Sequence, residues 1–273
     1  MLIIGEKIQI LNPTVFSAVE KRDTNLIADL AQQQIEAGAH GLDINLGPGR
    51  QAGMLLPDIV TAICDRVDAQ LFFSADSPGF TEAMKACNGR ATINASTAEP
   101  DELSRSMSAA KCFNADLVVL LTKRGCLPCT VDQWCLMAEE VIETAEKDKF
   151  PLEKLYIDPV LRTRYYPTAP GLGTMAMEIG PVCQALQLIK QLRESGIRTI
   201  VGLSNISLHL PYGSKGPLHR SVLSLLKAAG LDAAIMNPLD RSLMEMACTD
   251  EPQSVPAAIK SERANVPKLS AMG

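Results

Sequence analysis

The chain has 273 residues, 47% of them hydrophobic and 21% charged, which is enough for one large core, either as one barrel of ordinary size or as two small domains. Its net charge of −5 and pI near 5.3, without any basic run, exclude the electrostatic footprint of a nucleic-acid or anionic-membrane binder. No stretch has the length of a signal or membrane segment and the N-terminus enters an apolar run at once, so a soluble, cytoplasmic protein is expected.

Eight short runs rich in Ile, Val and Leu alternate with longer amphipathic stretches. The predicted strands are Leu2 to Ile8, Gly41 to Leu46, Leu71 to Ala75, Ala91 to Ala95, Leu117 to Thr122, Leu155 to Val160, Thr199 to Ser204 and Ala233 to Asn237. Each is apolar on both faces, as a doubly buried strand requires. Predicted helices include Asn25 to Ala37, Asp101 to Phe113, Val131 to Lys147, Met177 to Glu194 and Leu218 to Ala229. Gly38, Gly196 and Gly230 stand where helix C-caps are expected. Ser96 to Pro100 and Thr130 to Asp132 supply helix starts. Gly171-Leu172-Gly173 lacks the remaining spacing of a dinucleotide fingerprint and reads as a mobile loop opening onto the sixth helix. The alternation runs without a break in composition, which predicts one α/β domain, a single (β/α)8 TIM barrel over residues 1–273. An open, doubly wound sheet is the architectural alternative.

Eight cysteines are too few and too scattered for a secreted disulfide framework. Cys126-Leu-Pro-Cys129, with Cys135 six residues on, looks like half of a zinc or redox motif. It lacks a second pair and a nearby histidine, so a loop and helix-start reading is preferred. The three histidines form no metal set: His40 precedes the second strand, and His209 and His219 flank a Gly-Pro loop after the seventh. Surface or capping roles are expected for them, and no metal site is expected.

In a barrel the chemistry lies at the C-terminal ends of the strands. There the runs close on Glu6-Lys7, Asp43 and Asn45, Asp76, Asn94, Thr122-Lys123, Asp158, Ser204-Asn205 and Asn237. Three aspartates and several carboxamides on one rim, with no nucleophile elbow, describe a site that works through hydrogen bonds. A single Asp or Asn at such a place is often a turn former; six in register point to a ligand. A flat heterocycle with alternating amide and amidine groups, such as a pterin, presents N–H donors to carboxylates and mixed edges to Asn. Asp43, Asp76 and Asp158 could alternatively hold a hard divalent cation, as in a metal-dependent lyase or hydrolase.

The strings Ile3-Ile4-Gly5-Glu6-Lys7-Ile8, Gly41-Leu42-Asp43-Ile44-Asn45, Asp76-Ser77, Ile93-Asn94-Ala95, Ile157-Asp158-Pro159 and Gly202-Leu203-Ser204-Asn205-Ile206-Ser207 form a signature that spans nearly the whole chain. Through them the chain resembles the pterin-binding methyltransferases, close to the methyltetrahydrofolate–corrinoid protein methyltransferases. The resemblance implies that Asp76, Asn94 and Asp158 hold the pterin ring and that Asn205 lies beside N5; Asp43, Gly202 and Ser204, in the same strings, are also expected to meet tetrahydrofolate. It implies tetrahydrofolate and 5-methyltetrahydrofolate as substrates, a homodimer, and a partner protein whose corrinoid (cobalamin) docks over the barrel mouth. No Asp-x-His-x-x-Gly cobalamin-binding string occurs in the chain, so the corrinoid would arrive on another polypeptide or domain.

The implied activity is methyl transfer between N5 of tetrahydrofolate and cobalt, in either direction. Asn205 is the candidate to donate to N5 as charge develops there, and Asp76 the candidate to anchor a water or proton path. Two departures stand out: Gln9 follows Gly-Glu-Lys-Ile where the family usually has Asn, and Leu208 stands where some members have Gln. Dihydropteroate synthase, the rival within the same fold, normally carries an Asn-x-Thr-Pro-Asp-Ser-Phe loop, a Ser-Arg-Lys element and an Arg-x-His. Here those places read Gln9 to Pro13, Ser204-Asn205-Ile206 and Met236-Asn237-Pro238, without the cations a pyrophosphate leaving group needs. A non-catalytic folate-binding barrel is the remaining alternative.

Overall fold

All eight apolar runs become parallel strands: β1 (Leu2–Gln9), β2 (Gly41–Asn45), β3 (Gln70–Phe73), β4 (Ala91–Thr97), β5 (Asp116–Leu120), β6 (Leu155–Asp158), β7 (Arg198–Gly202) and β8 (Ala233–Met236). They close into one barrel in which sequential strands pair and β1 meets β8, so the fold is a (β/α)8 TIM barrel and the open-sheet alternative falls away. The computed structural model describes residues 1–249 except 48, 88, 163–164, 168–174, 209 and 211. The expectations for Gly171-Leu172-Gly173 and His209 therefore lie outside the described residues.

Helices α1 (Pro13–Lys21) and α2 (Thr24–Glu36) both follow β1. One helix then follows each later strand: α3 (Arg50–Cys64), α4 (Phe80–Ala86), α5 (Pro100–Phe113), α6 (Val131–Lys147), α7 (Gly180–Glu194), α8 (Tyr212–Ala229) and α9 (Arg241–Cys248). Local chemistry sets these ends. Asn12 caps α1 by accepting from the Thr14 N–H, with Pro13 in the first turn, and Thr130 caps α6 by accepting from the Gln133 N–H. Gly38, Gly196 and Gly230 take positive φ just past α2, α7 and α8, a conformation glycine adopts without steric cost. The helix expected from Met177 begins at Gly180 instead, because Met175–Met177 pairs antiparallel with Tyr165–Pro167 in a small hairpin between β6 and α7. Pro181, which has no N–H, falls in the first turn of α7, where none is needed. Among the described residues no helix is long and apolar enough to cross a membrane.

Two apolar cores result. The larger lies between barrel and helices and includes Leu42, Ile44, Leu71, Phe73, Leu117 and Ile157 on the outward faces of the strands. The smaller fills the barrel, with Ile4, Phe72, Val118 and Ile200 contributed one each by β1, β3, β5 and β7, together with Tyr156, Ala233 and Ile235. Four side chains from alternate strands form one layer of a barrel interior. On the even strands the next inward positions toward the C-terminal end are Asp43, Asn94, Asp158 and Ile235. A tier of three polar side chains thus rests on an apolar floor.

Candidate active site

Two irregularities shape the mouth of the barrel. The β1–β2 register shifts between Gly5 and Ile8, and the β4–β5 register shifts between Asn94 and Ser96. Bulges at barrel rims re-aim side chains and interrupt the pairing of the backbone. At the first, the buried Gln34 of α2 accepts the Lys7 N–H at 2.9 Å, and Glu6 is left on the inner side. Gly5 allows this approach, since a Cβ there would lie 2.4 Å from the Gln34 Oε1.

Asn94 Nδ2 donates to Asp43 Oδ1 at 2.9 Å, joining β4 to β2 across the interior. These two residues line a cavity of about 310 Å³ with Asn45, Gly47, Ser74 and Asp76. On the other side, Ser204 Oγ donates to Glu6 Oε1 at 2.7 Å. Ser204 and Asn205 belong to a one-turn 3-10 helix, Leu203–Ser207, that follows β7. The exposed Asn205 folds back over Gly202, where a Cβ would come within 2.8 Å of its Nδ2. The turn is pinned from behind, as the Ser207 hydroxyl donates to the Ser204 carbonyl at 3.1 Å and lies 2.7 Å from Nε2 of His219 on α8.

Three carboxyls, those of Asp158, Asp43 and Glu6, hold their protons unusually well. Burial pushes Asp158 up to about 7, against the opposing effect of the Val160 N–H, which donates to its Oδ1 at 2.6 Å. Burial likewise raises Asp43 to about 6, opposed by the Asn94 amide. Glu6 rises to about 7 through burial and the like charge of Asp43, opposed by the Ser204 hydroxyl, Lys7 and Lys215. Taking a carboxylate out of water disfavours its charged form until enough donors surround it. Three acids titrating near neutrality around one opening mark a functional mouth better than any one of them alone.

The cavity brings together Asp43, Asp76 and Asn94 of the residues expected from the sequence; Asp76 stands exposed at its rim. Asp158 lies on the same inward tier two strands further round, while Gly202, Ser204 and Asn205 sit on the β7 side next to Glu6. Asn45 and Asn237 are turn formers, accepting from the Gly47 and Leu239 N–H groups. His219 is a correction: it is buried against Ser207 rather than at the surface, and burial together with Lys215 lowers its pKa. His40 is exposed, and its Nδ1 accepts the Ile3 N–H of β1. Cys126 and Cys129 are exposed free thiols on the loop into α6. Among the described residues no group of three or more His, Cys, Asp or Glu side chains could hold a metal ion, so Asp43, Asp76 and Asp158 do not gather as a cation site. Glu6 closes the first run in the sequence but is assigned no part in the site there, although it flanks the mouth. Its signal was an acid set inside an apolar run, between Ile4-Gly5 and Ile8.

No protein-family model matches the chain. Over 248 residues it is 24% identical to a curated protein of Eubacterium limosum named methylcorrinoid:tetrahydrofolate methyltransferase, covering 89% of this chain and 88% of that one. Solved structures of similar fold include the dihydropteroate synthase of Yersinia pestis with a pterine-sulfa conjugate, at a TM-score of 0.62, 15% identity and coverage of 97% of this chain and 94% of that one. Another is the dihydropteroate synthase of Coxiella burnetii in complex with pteroic acid, at a TM-score of 0.65, 13% identity and coverage of 90% and 91%. The chain therefore resembles a methylcorrinoid:tetrahydrofolate methyltransferase in sequence and has the barrel fold of dihydropteroate synthase.

Proposed function

We propose that this protein transfers a methyl group between N5 of tetrahydrofolate and the cobalt of a corrinoid carried by a separate protein. The observation that carries the reading is the tier of buried acids beside a cavity of about 310 Å³, a volume at the small end of ligand pockets and suited to a bicyclic head group. Asp43 and Asp158 sit in a mouth too dry for bare carboxylates. A pterin supplies the missing N–H donors, and its binding favours their ionised forms. Asp76 and Asn94 complete the contacts to the ring, Gly202 leaves room for Asn205, and Asn205 serves N5. The likeness to the Eubacterium limosum enzyme supplies the methyl donor and acceptor, which the pocket by itself does not. With no cobalamin-binding string in the chain, its own residues position the folate, and the corrinoid is a substrate presented by the partner.

Single-turnover transfer from a methylated corrinoid protein, or from methylcob(III)alamin, to tetrahydrofolate is the direct test, followed by the cobalt spectrum. Asp76→Ala and Asp158→Ala are expected to weaken tetrahydrofolate binding by ~1.5–3 kcal/mol, the cost of losing a charged hydrogen-bond partner. Asn205→Ala is expected to bind within about tenfold of wild type and to transfer ~100-fold or more slowly, because its hydrogen bond strengthens as the reaction proceeds. Unchanged folate affinity in both aspartate variants would move the pterin elsewhere. Formation of dihydropteroate from a pterin pyrophosphate and p-aminobenzoate, with no methyl transfer, would replace this reading with the synthase that the solved structures of similar fold represent.

A further inference from the structure

Methyl transfer to tetrahydrofolate leaves a proton to be placed. As the N5–CH3 bond forms, the carbon–cobalt bond breaks with its electron pair staying on cobalt, and the N5–H proton must leave; the reverse reaction must return it. A useful acceptor has a pKa near the working pH and a path to N5.

Three acids flank the mouth, Asp158 buried and Asp43 and Glu6 half-buried, and their partners separate them. Asp43 is bonded to an amide, the Asn94 side chain, and Asp158 to a backbone N–H, that of Val160. Neither donor can take a proton while giving one up. Glu6 is bonded to a hydroxyl, Ser204 Oγ at 2.7 Å, and a hydroxyl accepts one proton as it releases its own. Ser204 is also the neighbour of Asn205, on a turn held in place by Ser207 and His219. We propose that Glu6 is the proton store of this site, exchanging with N5 through the hydroxyl of Ser204. The proposal rests on the reading above, in which this turn meets N5.

In the sense from corrinoid to folate, N5–H passes its proton to Ser204 Oγ while the hydroxyl proton moves to the Glu6 carboxylate. In the opposite sense neutral Glu6 donates to Ser204, and Ser204 protonates N5 as the methyl group leaves. Glu6 is a positioning residue here, acting through Ser204. The charged groups that face it are Lys7 on its own strand, Asp43 on β2 and Lys215 on α8. The lysines favour its carboxylate and Asp43 its neutral form, and burial outweighs them all. Its proton affinity therefore follows the ionisation of Asp43 as well as the pH.

The test is the pH profile of single-turnover transfer from methylcob(III)alamin to saturating tetrahydrofolate, from pH 5.5 to 8.5, with folate affinity measured separately by calorimetry. Wild type is expected to accelerate as pH rises through about 7. Glu6→Gln and Ser204→Ala are expected to lose that rise and to transfer ~100-fold more slowly at pH 8, the usual contribution of a positioned acid or base. Their affinities should fall far less than their rates, staying within about tenfold of wild type. Ser204→Thr, which keeps a hydroxyl, should recover at least tenfold of the Ser204→Ala loss; should Glu6→Gln fail to fold, this pair carries the test. A Glu6→Gln enzyme that keeps the wild-type rate and rise overturns the proposal alone. Equal losses of affinity and rate do the same, by making the pair structural. A wild-type protein that moves no methyl group overturns the functional reading and the proposal with it.

Discussion

Asp158 serves two ends with opposite demands. It is 5% exposed, and its carboxyl has moved from an ordinary value of 3.8 to about 7. A folded-state pKa above the unfolded one means that the native protein holds the proton more tightly. The associated stability is present below about pH 4 and is lost as pH rises through 7. Ionising this group in the unliganded protein costs roughly 4 kcal/mol by that difference. Asp158→Asn keeps an acceptor for the Val160 N–H and removes the charge. It is expected to raise the Tm by several degrees at pH 8, with the gain shrinking toward zero as pH approaches 4, while tetrahydrofolate affinity falls. Thermal melts at the two pH values and one binding titration check all three outcomes. A variant no more stable at pH 8 would mean that Asp158 is well solvated when ionised. Under the proposed function, the charge on Asp158 is held at a cost to stability that a bound pterin would relieve.

At the scale of elements, the bulge in β1 depends on an exchange between a strand and the helix behind it. Gln34 of α2 enters because Gly5 has no side chain, and its Oε1 then accepts the Lys7 N–H that the bulge takes out of the ladder. Gly5→Ala would drive a methyl group into that amide, with Gln34 fully buried and without room to swing aside. Leaving a buried N–H unpaired costs ~1–3 kcal/mol. The Tm is expected to fall by about 3–10 °C for a chain of this size, and the Glu6–Ser204 bond should loosen with it, visible as a shift in the pH profile of transfer. This device also marks where the sequence was readable and where it was not. All eight strands followed from apolar runs with two buried faces, and Asp43, Asn94 and Asp158 from their places at the ends of those runs. Period-2 alternation gives no warning of an extra residue, so the bulge and the inward turn of Glu6 went unread. The hairpin of Tyr165–Pro167 with Met175–Met177 was missed because three-residue strands are too short to carry a period. His219 was misplaced for a different reason: a polar residue on a helix looks exposed until its buried partner, here Ser207, is known.

Across the whole molecule, the two ends of the barrel carry different polar chemistry with an apolar layer between them. Above Ile4, Phe72, Val118 and Ile200 lie Glu6, Asp43, Asn94 and Asp158; below lies a second polar cluster at the N-terminal ends of the strands. There Arg198 of β7 donates to Asp116 of β5 at 3.1 Å and to the Tyr156 hydroxyl of β6 at 2.9 Å, with its guanidinium 3.9 Å from the Tyr156 ring centroid. Asp232 beside it accepts from both the backbone and the hydroxyl of Thr199. These contacts tie three adjacent strands at the closed end, where barrels keep stability rather than chemistry. The pair is partly exposed, so its Coulomb attraction counts for little, and most of its worth lies in the stacking and in the hydrogen bonds to a charged donor. Arg198→Ala is expected to cost about 2–3 kcal/mol through those contacts, which lowers the Tm by about 5–10 °C in a protein of this length. Well below that transition, tetrahydrofolate affinity and single-turnover transfer should stay within about twofold of wild type, since the apolar layer separates Arg198 from every group assigned to the ligand. Thermal melts and the same transfer assay at 20 °C measure both. A loss of affinity at that temperature, in protein still fully folded by circular dichroism, would show that the two ends are coupled through the barrel and that the polar tier is not independently organised.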